Sequence, residues 1–109
     1  MLTSRLALCC LTALLLATPA VAADSMDQMQ QAQAKMDKAM QAGAERGDTP
    51  DERFVRMMIP HHQGAIDMSR IGLEEIKDSE LRRMVAKTIK ENENGIEEMN
   101  AWLKKHGKL

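Results

Sequence analysis

The sequence predicts an all-α fold: a small antiparallel helical bundle of three helices behind an export signal. Three observations carry that expectation. The 109 residues allow one small domain and leave no room for a second. Aromatic residues are only 2% of the chain, Phe54 and Trp102, and a core so short of aromatic and β-branched side chains argues against an all-β fold. Beyond the first segment, apolar residues recur at steps of three and four. The composition, 44% hydrophobic and 28% charged, is that of a globular chain. Fifteen Lys+Arg against sixteen Asp+Glu give a formal net charge of −1, so no basic surplus favours nucleic acid as a partner. The scarcity of aromatics also speaks against recognising bases or sugars by stacking.

Met1 to Ala23 reads as a cleavable signal peptide. Arg5 supplies the positive end, Leu6 to Ala17 an apolar run, Pro19 a break, and Ala20-Val21-Ala22-Ala23 a small-residue cleavage site. The run is about 12 residues, short of the roughly 20 that a membrane-spanning helix needs, so no stable span is expected after cleavage. A periodic 24–109 domain, periplasmic or secreted, remains. Leu8 precedes Cys9 where a lipoprotein signal wants a small residue, which argues against lipidation. Both cysteines, Cys9 and Cys10, fall in this segment, so the mature chain has no thiol. Nine of the ten Met and all three His survive processing as its soft or borderline metal ligands.

The first helix is expected from about Asp24 to Arg46, built on Gln, Ala, Lys and Met and followed by Gly47. Its stripe is Met26, Met29, Met36 and Met40, with Gln33 interrupting; core filling is the plainer use of such a stripe. The second helix has the clearest start. Thr49 can cap it, Pro50 fits its first position, and Glu52 completes a capping box. It should run to about Lys77, where Asp78-Ser79 breaks it and offers the next cap. The third helix then spans Glu80 to about Lys105, closed by Gly107, with His106 as a charge partner for the helix end. Short connections favour antiparallel neighbours that bury one modest common seam. Such a chain also allows a homodimer, two copies completing a four-helix bundle.

The run that carries chemistry is Met57-Met58-Ile59-Pro60-His61-His62-Gln63-Gly64-Ala65-Ile66-Asp67-Met68. At about 100° per residue, Met57, Met68, His61, Phe54, Ala65, Met58 and His62 fall on one arc of about 140°, and Val55, Leu73 and Ile66 extend it. Both imidazoles are expected to project from that face toward partner helices, beside Met57, Met58 and Met68. A thioether is a neutral, polarizable donor that prefers Cu(I) or Ag(I) to hard ions, and it needs no deprotonation. Imidazole adds a stronger donor that also suits Cu(II). Gly64 and Ala65 should let another helix approach. Pro60 should kink the helix and free the Arg56 carbonyl toward water. Asn92 is placed to orient an imidazole, or else to fix register as a polar core residue.

Several enzyme classes lack their signatures. There is no Glu-x-x-His, no His-Glu-x-x-His, no Cys-x-x-Cys-His, no Gly-rich phosphate cradle and no sign of a Ser/His/Asp triad. A b-type haem between Met and His would find few aromatic residues to wall it. No catalytic activity is expected.

The series Asp51-x-x-Phe54-Val55-x-x-Met58-Ile59-x-His61-His62-x-x-Ala65-Ile66-x-Met68 resembles the signature of the family called domain of unknown function 305. The later Ile96-x-x-Met99-x-x-Trp102-Leu103 resembles its second helical block, so the likeness spans about Asp51 to His106. The resemblance implies a ferritin-like helical fold and, from its periplasmic copper-binding members, an exported protein that binds Cu(I), with Ag(I) or Cu(II) as further ions. Metal sequestration, trafficking or tolerance would be the role, with another periplasmic metal-handling protein as partner. Met58, His61, His62 and Met68 carry over as candidate ligands, and Met99 comes from the second block; Met57 is added from its place on the helix. Asn92 and Gly95 stand where members often carry Gln and Glu. The rival expectation is a periplasmic adaptor or chaperone-like interaction module whose Met and His merely pack.

Overall fold

A computed structural model describes residues 20–109, with side chains from residue 24 onward. The expected signal segment therefore lies outside the described residues, apart from the backbone of Ala20 to Ala23. Three helices follow in order: α1 (Ala20–Glu45), α2 (Pro50–Glu75) and α3 (Ser79–Lys105). Among the described residues there is no strand, and no helix is long and apolar enough to cross a membrane. The all-α bundle is the fold.

Local chemistry sets each boundary. Thr49 caps α2 by accepting from the Glu52 N–H at 3.1 Å, with Pro50 in the first turn. The other half of the expected capping box differs. Glu52 accepts from the Asp48 N–H, one residue earlier, because its carboxylate is also held by Arg56 and Lys108. Asp78 caps α3 through the Leu81 N–H at 2.7 Å. Arg82 reaches back from α3 to the Leu73 and Ile76 carbonyls, satisfying acceptors at the end of α2. Gly107 ends α3 with φ +66°, a left-handed conformation that glycine adopts without a Cβ penalty.

Helix α2 is the middle of the molecule. Among the described residues α1 packs on it and α3 packs on it, but α1 and α3 do not pack on each other. The common seam expected from the sequence is thus two separate seams. Both run antiparallel: Lys35 pairs with Asp67 at 3.8 Å on one, and Arg70 with Glu93 at 3.4 Å on the other. The α1 seam turns on Pro60. Lacking an N–H, it leaves the Arg56 carbonyl without its helical donor. Water was the expected partner, yet Gly43 of α1 lies there instead. A Cβ on Gly43 would stand 2.1 Å from the Arg56 oxygen, so a glycine Cα–H points at that acceptor.

Few side chains are fully covered by this layer. Ile66 and Leu103 are the buried apolar residues among those described, and Glu52 is the buried charged one. Glu52 is matched rather than stranded. Arg56 Nε donates to it at 2.8 Å, Lys108 Nζ stands 3.1 Å away, and Arg56 also donates to the Lys108 carbonyl. The Arg56 hydrogen bond holds its carboxyl well below the usual range, at about 2, against the opposing pull of desolvation. Lys108 also pairs with Asp48, so this clasp ties the chain's end to the α1–α2 corner.

Candidate metal centre

His62 is the best-positioned donor on α2. Its Nδ1 lies 2.9 Å from the Met58 carbonyl one turn back. A carbonyl can only accept, so Nδ1 carries the proton and, in the neutral ring, Nε2 keeps the lone pair. This is how a backbone acceptor fixes the tautomer of a ligating imidazole. The ring is half-buried against α3, because Gly95 offers no side chain there. A Cβ on Gly95 would meet the ring at 2.9 Å (Cδ2) and 3.0 Å (Nε2). Gly95 departs from the family pattern in sequence, and its packing role shows only once the antiparallel register is known.

His61 does not project toward a partner helix within the chain, as the rotation argument expected for both imidazoles. It is exposed, makes no hydrogen bond among the described residues, and meets the His62 ring edge-on at 5.9 Å between centroids. Phe54, expected to face the interior, is 58% exposed. The cause is the layered arrangement. At about 100° per residue, the residues facing α1 (Gly64, Asp67) and those facing α3 (His62, Ile66, Arg70) lie on opposite flanks of α2. Between them, an arc with Phe54, Met58, His61, Ala65 and Met68 faces neither helix.

Met57, Met58, Met68 and Met99 are all half-buried. Met58 is linked to His62 through its carbonyl. Met99 lies one turn beyond Gly95, and Met58 one turn before His62, so the antiparallel register stands them at the same level of the α2–α3 seam. Met57 lies nearer the α1 seam, with its backbone nitrogen 3.3 Å from a Cβ built on Gly43. Met36 is taken up by packing, since its Sδ lies over Gly64. Asn92 does not orient an imidazole; its amide donates to the Thr88 carbonyl of its own helix at 2.8 Å. His106 bonds the Trp102 carbonyl at 2.7 Å and stacks on the indole at 4.1 Å, closing α3.

Among the described residues no three His, Cys, Asp or Glu side chains come together as a metal-holding group. Two charged residues of α2, Arg56 and Asp67, turn the other way. Arg56, Gln63 and Asp67 line an open groove of about 400 Å³ between α1 and α3, floored by Met36, Ile59 and Leu103.

Residues 14–107 match the family described as Domain of unknown function (DUF305). No curated protein matches the chain.

Proposed function

The chain belongs to the DUF305 family, whose function is unknown, and from the donor set on α2 we propose an exported copper-binding protein without catalytic turnover. It takes up Cu(I), or the similarly soft Ag(I), through His61 and His62 together with Met58 on one side or Met68 on the other, which stand about 15 Å apart along α2 and so cannot hold the same ion. Met57 and Met99 adjoin, and the protein holds or delivers the metal. The observation that carries this reading is the His62–Met58 pair. The Met58 carbonyl fixes the imidazole in the tautomer whose Nε2 can ligate, and Met58 itself, one turn back on α2, is the nearest thioether-bearing residue in sequence. Thioether and imidazole donors suit a monovalent soft ion, which is satisfied by few ligands, and suit Mg²⁺ or Ca²⁺ poorly. Thioethers also resist the oxidation to disulfide that an exported compartment would impose on thiols.

Competition with a chromogenic Cu(I) chelator tests the proposal. The protein should withdraw copper from the chelator. His61→Ala combined with His62→Ala should abolish the uptake while helicity by circular dichroism persists. Equal uptake by the double variant would show the ligand assignment to be wrong. A second reading, the interaction module, is favoured by the exposed Phe54 and Met84. It predicts metal-independent capture of another exported protein, lost on Phe54→Glu.

A further inference from the structure

We infer that Asn94-Gly95 is a site of spontaneous covalent modification in the middle of α3. When the helix opens there, Asn94 converts to aspartate or isoaspartate, and the α2–α3 seam at His62 loosens irreversibly. The inference is independent of the copper reading.

The chemistry belongs to the dipeptide. The Gly95 backbone nitrogen attacks the Asn94 side-chain carbonyl carbon. A C–N bond forms, the bond from Cγ to Nδ2 breaks, and the side-chain nitrogen leaves as ammonia with the Gly95 proton. Water then opens the resulting succinimide. Attack at the side-chain carbonyl gives aspartate; attack at the main-chain carbonyl gives isoaspartate, whose chain runs through the former side chain. Glycine hinders the ring closure least, because it has no Cβ and turns freely. Of the three asparagines, Asn92, Asn94 and Asn100, only Asn94 precedes glycine. It is exposed and its side chain makes no hydrogen bond among the described residues, whereas Asn92 is tied to the Thr88 carbonyl.

The closed helix blocks the reaction. Helical dihedrals keep the Gly95 nitrogen out of line with the Asn94 side-chain carbonyl, and the helix ladder occupies its N–H. Conversion therefore depends on how readily α3 opens at this point. Both ends of the helix are tied down. Asp78 caps the start and Arg82 binds the Leu73 and Ile76 carbonyls. At the far end Leu103 is buried, and Lys108 joins Asp48 and Glu52. The middle has no such support. Asn92, Asn94 and Gly95 are weak helix formers close together, and Leu103 is the one fully buried residue of α3. Across the seam stand only the His62 ring against Gly95 and, nearby, an exposed Arg70–Glu93 pair of the kind that contributes little. A stretch with so few buried contacts opens locally without unfolding the chain.

Either product makes the opening permanent. A new carboxylate at position 94 stands three or four residues from Glu91, Glu97 and Glu98, and like charges at that spacing weaken a helix. Isoaspartate also adds a methylene to the main chain. The ladder then loses its register at Gly95, the residue that receives the His62 ring.

Peptide mapping by mass spectrometry, with fragmentation that separates aspartate from isoaspartate, tests this on the full chain at neutral pH. Chain unfolded in guanidinium chloride should convert at Asn94 well before Asn92 and Asn100. The folded protein should convert at the same residue about tenfold to a thousandfold more slowly, yet faster than its globally unfolded fraction, taken from a denaturant melt, allows. Hydrogen exchange in the aged protein should speed up around Gly95 and stay unchanged at the Asp78 cap. Asn94→Gln, aged identically, should keep the exchange pattern of fresh protein. Equal rates in the folded and unfolded chain would mean that α3 does not guard the site. A folded rate within what the globally unfolded fraction permits would mean that the middle of α3 has no opening of its own. Conversion without altered exchange would mean that the seam does not depend on Gly95. Each of these three results overturns the inference, and none bears on copper uptake.

Discussion

Two glycines inside helices have opposite duties, and the difference is steric. A Cβ on Gly43 would press on the backbone of α2, 2.1 Å from the Arg56 oxygen and 2.8 Å from its carbon. Backbone cannot rotate away, so Gly43→Ala should push α1 off α2 at the Arg56 carbonyl and destabilise by about 1–3 kcal/mol, the usual range for overpacking. At Gly72 the nearest atom is the Ile76 Cδ1 at 3.6 Å, an ordinary contact. Gly72→Ala should therefore stabilise, by about 0.5–1 kcal/mol, through helix propensity alone. Urea melts of the two variants should shift in opposite directions. Movement in the same direction would mean that the Gly43 approach does not hold α1 in place.

At the scale of helices, the caps are the features whose strength can be measured one at a time. Thr49 and Asp78 each satisfy a first-turn N–H of the helix that follows. Thr49→Ala and Asp78→Ala should each cost about 1 kcal/mol in a denaturant melt. Thr49→Asp should largely retain stability, because Asp also accepts from the first turn. These starts were legible in the sequence, since capping depends on residues three apart and not on distant partners. The helix ends agree with the expected ones to within a few residues for the same reason. What the sequence could not disclose was which way each stripe points. The apolar arc of α2 follows from helical periodicity, but periodicity cannot tell a face turned toward a neighbouring helix from one left open. Hence His61 and Phe54, expected inside, lie on the surface, while Asn92 turns back to its own helix. Gly43 and Gly95 gave no periodic signal at all, because what they provide is absence of bulk at a register that only the folded chain defines.

For the molecule as a whole, the absence of packing between α1 and α3 makes the clasp at one end of the layer consequential. Asp48 of the α1–α2 corner, Glu52 of α2 and Lys108 beyond α3 are joined there by ion pairs, with Arg56 bonded both to Glu52 and to the Lys108 carbonyl. The charges give the clasp a defined pH window. Glu52, drawn down to about 2 from an ordinary 4.5 chiefly by the Arg56 hydrogen bond, binds its proton more readily in the unfolded chain. Its contribution is therefore complete above about pH 4.5 and fades as pH falls toward 2. Lys108 has the opposite sign. Its ammonium is held above the ordinary 10.5, first by hydrogen bonding to Asp48 and then to Glu52, so its contribution is complete below pH 10.5 and fades as pH rises beyond. The urea midpoint should thus fall on the acid side between pH 4.5 and 2, and Glu52→Gln should flatten that limb while lowering the plateau at neutral pH. Hydrogen exchange locates the effect. With the clasp cut, amides at the C-terminal end of α3 should exchange faster at pH 7, whereas those near Asp78, at the opposite end of the helix, should not change. Uniform acceleration along α3 would mean that the network supports general stability and does not pin the end of the layer.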